Sequence, residues 1–343
     1  MKSISKSAIL LGALFVLFTS TSSYSAEASA SFYGLIDVYV ASSKAPSSSD
    51  RALDVSSSGM TTSFIGVNTK IDLGNGLNGV ITLESFLRPD TGEAGRYAGD
   101  QFFARDAFVG LEGGFGKVYL GRNTTPYFIS VILTNPFGGS FGFGPSIEHS
   151  FLGGLQGDSG WGNSVLYGSP KFGGLDFTLL YSAGEVAGAT GTNRMGGNVF
   201  YSVGKFTGTL AYQSVDLVLE DPTTYATGDT QTAGLLGASY DLGVAKLFAQ
   251  YQKMKTTAAT AGDTDWKTYQ IGASVPAGKG SILVSYAHTD ITSGTDSDRK
   301  TYAVGYDYTI NKQVDLYTVF NRDDPSTASS AGDTLAFGGR FQF

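Results

Sequence analysis

From about residue 31 to the end, polar and apolar residues alternate with a period of two, and long helical periodicity is missing. Sixteen segments read as strands: 31–40, 61–73, 78–88, 102–112, 115–122, 164–170, 175–184, 195–204, 205–216, 231–242, 244–255, 266–276, 279–289, 299–310, 312–322 and 333–343. Alternation assigns their faces. In 299–310, Tyr302, Val304, Tyr306, Tyr308 and Ile310 oppose Thr301, Ala303, Gly305, Asp307 and Thr309. In 175–184, Leu175, Phe177, Leu179 and Tyr181 oppose Asp176, Thr178 and Ser182. In 205–216, Phe206, Gly208, Leu210 and Tyr212 oppose Thr207, Thr209 and Gln213. The last strand sets Leu335, Phe337, Gly339, Phe341 and Phe343 against Thr334, Arg340 and Gln342.

The connections come in two kinds. Tight, glycine-rich turns such as 74–77, 113–114, 172–174, 242–243 and 276–278 alternate with longer polar segments at 41–60, 89–101, 123–163, 185–194, 217–230, 256–265, 290–298 and 323–332. Antiparallel strands whose two chain ends lie on the short-turn side need this pattern. The segment after 115–122 is different, carrying Pro126, Pro136 and Pro145 among many glycines. So long a stretch without strand pattern predicts a functional loop, folded back into something hollow.

Composition decides between a soluble sandwich and a membrane barrel. Charged residues make up 15%, aromatics 13%, and there are 19 tyrosines and 47 glycines. The N-terminus carries Lys2 and Lys6, an apolar run over 8–18 and small residues at 26–30, the pattern of a secretory leader (1–28, cleavage within 26–30). Export, many strands and few charges favour a barrel with its apolar face to lipid and its polar face to a lumen. Lipid cannot satisfy unpaired backbone groups, so the sheet must close. The expected fold is therefore all-β, a 16-stranded antiparallel transmembrane β-barrel over 29–343 with an infolded constriction loop over 123–157. The chain has no cysteine, and its formal charge of −7 argues against nucleic acid as a partner.

Three stretches give the chain a family. RDAFVGLEGGFGKVYLGR (105–122), YGLID (33–37) and the terminal phenylalanine resemble trimeric general diffusion porins of Gram-negative outer membranes. The similarity extends over essentially everything from Ser31 onward. It implies an outer-membrane, water-filled channel for passive diffusion of ions and small hydrophilic solutes, assembled as a homotrimer in lipid and needing no cofactor. It also implies that 123–157 narrows the pore, with NPFGG (Asn135, Pro136, Phe137, Gly138, Gly139) as the loop tip. Residues 89–101 would latch onto a neighbouring subunit, with Arg122 receiving that latch. Phe343 would serve as the assembly signal.

For the constriction, Arg105 resembles the family's lumen-facing arginine and Glu84 a lumen-facing carboxylate; the alternative for Arg105 is a wall arginine satisfied by carbonyls or a carboxylate. Arg88 shares the parity of Glu84. Lys70, Asp37 and Glu148 complete a set in which opposing charges nearly balance, which predicts weak ion selectivity. Phe64 and Asn68 stand where many relatives carry bases, and Glu148 is the sole carboxylate between Asn123 and Gly157. Tyr127–Leu133 reads as loop core packed on the wall, and Gly34 as a small outward residue open to a neighbouring subunit.

Enzymatic chemistry is not expected. The two histidines, His149 and His288, lie in no recognisable hydrolase setting, and no glycine-rich segment reads as a phosphate loop. His149 reads as a surface or lining residue, with too few ligands nearby for a metal. The competing readings are a substrate-specific channel, with Tyr127, Phe141 and Phe143 as a sliding surface for sugars or aromatic acids, and a surface adhesin or structural barrel.

Overall fold

The computed structural model describes residues 28–185, 193–259 and 262–343. The expected leader lies, but for Ala28, outside the described residues. One antiparallel sheet contains every strand, and its first and last wall strands pair, so it closes as a 16-stranded barrel. The wall strands are β1 (Ala28–Lys44), β2 (Phe64–Gly74), β3 (Leu77–Arg88), β4 (Ala107–Gly113), β5 (Gly116–Thr124), β6 (Gly160–Gly168), β7 (Leu175–Ala183) and β8 (Asn193–Val203). They continue as β9 (Phe206–Asp216), β10 (Thr230–Asp241), β11 (Lys246–Thr257), β12 (Thr264–Ala277), β13 (Gly280–Thr292), β14 (Ser297–Thr309), β15 (Val314–Pro325) and β16 (Gly332–Gln342). Ala52–Ser57 and Glu93–Ala94 are short additions within the first two long connections, paired to β1 and β3.

All sixteen expected strands are present, with shifted ends. Strands β13 and β14 run outward to Thr292 and from Ser297, so only 293–296 connects them. The segment expected as strand from 102 becomes regular only at Ala107. Before it, Glu84 N donates to Asp106 O at 2.7 Å and Arg105 N reaches Glu84 O at 3.4 Å. This irregular pairing replaces the strict alternation and brings Arg105 into the lumen.

The faces follow the alternation. Leu179, Leu210, Leu236, Ile271, Val304 and Phe337 are exposed on the outer face, as the expected apolar-out barrel requires. Outward tyrosines pair near mid-strand, Tyr251 with Tyr269 (5.1 Å) and Tyr286 with Tyr302 (5.0 Å), and Tyr201 and Tyr240 lie close to the short turns. The tyrosines near the short turns are what one aromatic girdle of the expected membrane barrel requires.

Closure is sealed at the C-terminus. Gly34 N donates to Phe343 O at 3.0 Å, and Phe343 N donates back to Gly34 O at 3.1 Å. The Phe343 ring lies over Gly34, where a Cβ would sit 2.8 Å from its Cζ. Gly34 is therefore covered by its own chain rather than open to a neighbour.

The segment between β5 and β6 starts at Thr125, two residues later than expected, and holds two short helices, α1 (Pro126–Leu133) and α2 (Pro145–Ser150). Thr125 caps α1 by accepting from Phe128 N at 3.2 Å, and Pro126 fits the first turn, where its missing N–H costs nothing. Inside the barrel this loop lies against β8–β15. Much of the wall beneath it is uncharged and polar: Asn198, Thr209, Gln213, Gln231, Gln250, Gln252, Thr289 and Asn321 are all buried.

Candidate functional site

The loop is held by side chains that satisfy its backbone. Gln250 Nε2 donates to Val131 O at 2.7 Å and to Thr134 Oγ1 at 2.8 Å, closing the C-terminal end of α1. Asn198 Nδ2 donates to Pro126 O at 2.8 Å, and Tyr127 Oη donates to Gln252 Oε1 at 3.0 Å. Further along, Gln231 accepts from Gln156 N (2.7 Å) and donates to Gly154 O (2.8 Å). Two wall glycines let the loop approach. A Cβ at Gly237 would sit 2.5 Å from Thr134 Oγ1, and one at Gly272 would sit 2.7 Å from Pro136 Cγ.

The tip is anchored through its own turn. Asn135 Nδ2 donates to Val131 O and Gly138 O, while its Oδ1 accepts from Phe137 N at 2.9 Å. Gly138 takes φ +55, and Phe137 is buried with Phe143, Tyr317 and Val319. Gly139 lies on the lumen side.

What remains open is a cavity of about 900 Å³ between the loop and the wall of β1–β11. On the loop side it is lined by Phe128, Ile129, Ile132, Leu133, Gly139 and Phe141. On the wall side lie Phe64, Glu84, Arg105, Asp106, Phe108 and Tyr119, and toward the short turns Lys117, Lys171, Asp176 and Lys246. Only part of the stretch Tyr127–Leu133 is thus loop core: Tyr127, Ser130 and Val131 are buried, and the other side faces open space.

Among the expected constriction residues, Arg105, Glu84 and Phe64 come together. Arg105 pairs with Glu84 and lies 4.0 Å over the Phe64 ring, and Tyr33 Oη donates to the second Glu84 oxygen at 2.5 Å. The others lie elsewhere. Arg88 pairs with Glu93 at 2.7 Å in the second long connection, and Lys70 faces Glu112 at 3.8 Å near the short turns. Asp37 is fully buried and accepts from Met60 N, Thr61 N and Tyr317 Oη at 2.6–2.8 Å, a clamp on the end of the first loop.

Glu148 faces the wall, away from the cavity. It accepts from Asn321 Nδ2 at 2.7 Å and lies 3.6 Å from Arg299, which also binds Asp323. Burial raises its carboxyl to about 7 against the pull of Arg299. His149 is buried rather than surface or lining. Its Nδ1 and Nε2 lie 2.6 and 2.7 Å from the hydroxyls of Thr289 and Thr301, and burial holds its imidazole down at about 3.

Arg122 donates to Ala104 O at 2.6 Å and to Asp158 at 2.9 Å. Arg96, from the second long connection, grips the same carboxylate at 2.6 Å, so two guanidinium groups share Asp158. Despite its burial, Asp158 is held down at about 2 by hydrogen bonding to Arg96. Arg299 and Arg340 escaped the sequence reading as site residues. Arg340 pairs with Asp307 and lies 3.5 Å from Asp315, beside a smaller cavity under the loop tip. Inward parity on β14 and β16 was the signal that could have found both.

Comparison with known proteins agrees with this architecture. The family model for Gram-negative porins matches residues 13–328. Outer membrane porin protein 32 of Delftia acidovorans is 30% identical over 301 residues, covering 85% of this chain and 83% of that protein. A solved structure described as the anion-selective porin from Comamonas acidovorans matches with a TM-score of 0.79 at 27% identity, over 92% of this chain and 100% of that one. OmpT of Vibrio cholerae, in a structure described as the trimer form, shares the fold at TM-score 0.70 and 14% identity, over 92% and 99%. With family, fold and lumen in agreement, the chain belongs to the Gram-negative porin family and is an outer-membrane β-barrel channel for passive diffusion of solutes.

Proposed function

We propose that ions and small hydrophilic solutes cross through the gap between the open face of α1 and the wall of β1–β11, with weak charge preference. The observation that carries this reading is the cavity itself, which runs from Thr61 and Arg105 to Lys171 and Lys246 beside the short turns. A fixed constriction on a rigid wall passes hydrated solutes without binding them tightly. Its lining carries Arg105, Lys117, Lys171 and Lys246 against Glu84, Asp106 and Asp176, nearly a balance. Unit charges about 4 Å apart interact by about 1 kcal/mol in water and more in a narrow passage, so near-balance keeps selectivity low. The small basic excess leans toward anions, the preference named for the Comamonas relative.

In the same reading, residues 1–28 are the leader, 29–343 the barrel, and the loop from Thr125 onward the constriction. The assembly is a homotrimer, which the trimer form of the Vibrio relative supports and closed cyclic symmetry favours. Arg122, the latch over 89–101 and the Phe343 assembly signal belong to that reading. The chain carries no catalytic role. Single-channel recording of the purified protein in a planar bilayer tests it: stepwise, ohmic potassium chloride conductance with a small zero-current potential is expected. A barrel that inserts without conducting would instead favour an adhesin.

A further inference from the structure

Helix α1 is amphipathic in the direction opposite to that expected in a water-filled lumen. Its wall side carries Tyr127, Ser130, Val131 and Thr134 and docks through hydroxyl and carbonyl hydrogen bonds and through the burial of Tyr127 and Val131 against Ala233, Leu235 and Met254. Its other side, Phe128, Ile129, Ile132 and Leu133, lines the cavity, and Leu133 is 51% exposed. Phe128 and Ile132 pack with one flank on the buried loop cluster and leave the other to the cavity, while Leu133 is not part of that cluster. Phe141 extends it, its ring centroid 5.9 Å from that of Phe128. Opposite are Phe64, under Arg105, and the Phe108–Tyr119 stack, with centroids 4.2 Å apart and planes at 11°. Apolar surface facing water on both sides of a passage raises the barrier to hydrated ions and suits a solute with a flat apolar face.

The charges define the rest of that solute. Glu84 is closed by Arg105 and Tyr33, and Asp106 accepts from Thr124 N and Oγ1 at 2.7 and 3.0 Å. Lys117 and Lys246 lie over the rings of Tyr119 (5.3 Å) and Phe248 (5.1 Å), with no carboxylate at ion-pair distance among the described residues. Glu84 and Asp106 are thus satisfied, Asp176 beside the short turns is the lining carboxylate without such a partner among the described residues, and the ammonium groups are available. We propose that the passage favours small monocyclic aromatic carboxylates over polar anions of similar size. The ring would slide between α1 and the Phe64–Phe108 wall while the carboxylate moves from Arg105 toward Lys117. This inference rests on the passage proposed above as the conducting one.

Benzoate and gluconate, added to potassium chloride during single-channel recording, are the probes. Benzoate should reduce the current saturably and gluconate should not. In the double variant Ile132→Asn, Leu133→Asn, checked for heat-shifted mobility as a folded barrel, half-block should need about tenfold more benzoate. Equal effects of the two anions on the wild type, or an unchanged half-block in the variant, would overturn the inference. Leu133→Trp separates it from the reading beneath it. A lowered potassium chloride conductance with no benzoate preference sinks only the solute class. A wild-type conductance places the path elsewhere and removes both.

Discussion

At the scale of residues, the wall of the passage is governed by one ion pair. Arg105 is fixed by Glu84 and Phe64, and Tyr33 holds the other carboxylate oxygen. Arg105→Ala leaves Glu84 and Asp106 uncompensated at the narrow part, so the zero-current potential in a potassium chloride gradient should shift toward cations. Glu84→Gln should shift it toward anions. A potential unchanged by both would place the pair outside the conducting path. The legibility of these residues was uneven. The family resemblance picked out Arg105, Glu84 and Phe64, with parity supporting only Glu84, and all three face the lumen where β2, β3 and the segment before β4 meet. Nothing in the sequence told that Arg88, Lys70, Asp37 and Glu148 each find a partner elsewhere, at Glu93, Glu112, two loop amides with Tyr317, and Asn321 with Arg299. Apart from Glu93, five residues from Arg88, these partners are distant in sequence and are set by barrel closure and loop docking, which alternation does not encode.

At the scale of elements, the loop between β5 and β6 depends on groups that bind it to the wall, and His149 makes that docking sensitive to acid. Its two ring nitrogens face Thr289 and Thr301, with Arg299 pressing the same way as burial on its charge. A histidine held near 3 against an ordinary 6.5 contributes stability that is complete above about pH 6.5 and lost as pH falls toward 3. Glu148, raised to about 7 from an ordinary 4.5, contributes in the opposite sense, fully below 4.5 and lost as pH rises through 7. The two slopes cancel between about pH 4.5 and 6.5, and below that window His149 acts at about 1.4 kcal/mol per pH unit, joined in the same direction below about 3.8 by Asp158. Conductance fluctuations should therefore grow below about pH 4.5 in the wild type and much less in His149→Gln. Equal acid sensitivity in both would remove His149 as the cause. Sequence periodicity found all sixteen strands but not α1 and α2, since eight and six residues are too short for a 3.6-residue period to stand out.

At the scale of the whole molecule, the last residue extends the seam between β1 and β16 that closes the barrel. The Phe343 backbone pairs with Gly34 and its ring fills the space above that glycine and beside Phe32, centroids 5.6 Å apart. Phe343→Ala should lower the amount of folded barrel recovered from outer membranes while leaving the conductance of molecules that do fold unchanged; equal yields would rule out the role in assembly. The fold was legible because a bilayer constrains one face of every strand and demands closure, so a simple alternation carries most of the architecture. Loop docking is the reverse case. It depends on amides scattered over β8–β12 and on glycines at Gly237 and Gly272, whose meaning appears only when the loop is in place. The central claim, that conduction passes along the exposed face of α1, is open to a direct test because the chain contains no cysteine. Leu133→Cys and Leu210→Cys, the latter 61% exposed on the outer face, are each treated with a charged thiol reagent during single-channel recording. Modification at Leu133→Cys should change the conductance in a discrete step, and treatment of Leu210→Cys should leave it unchanged. Full labelling at Leu133→Cys with no change in current would contradict the account.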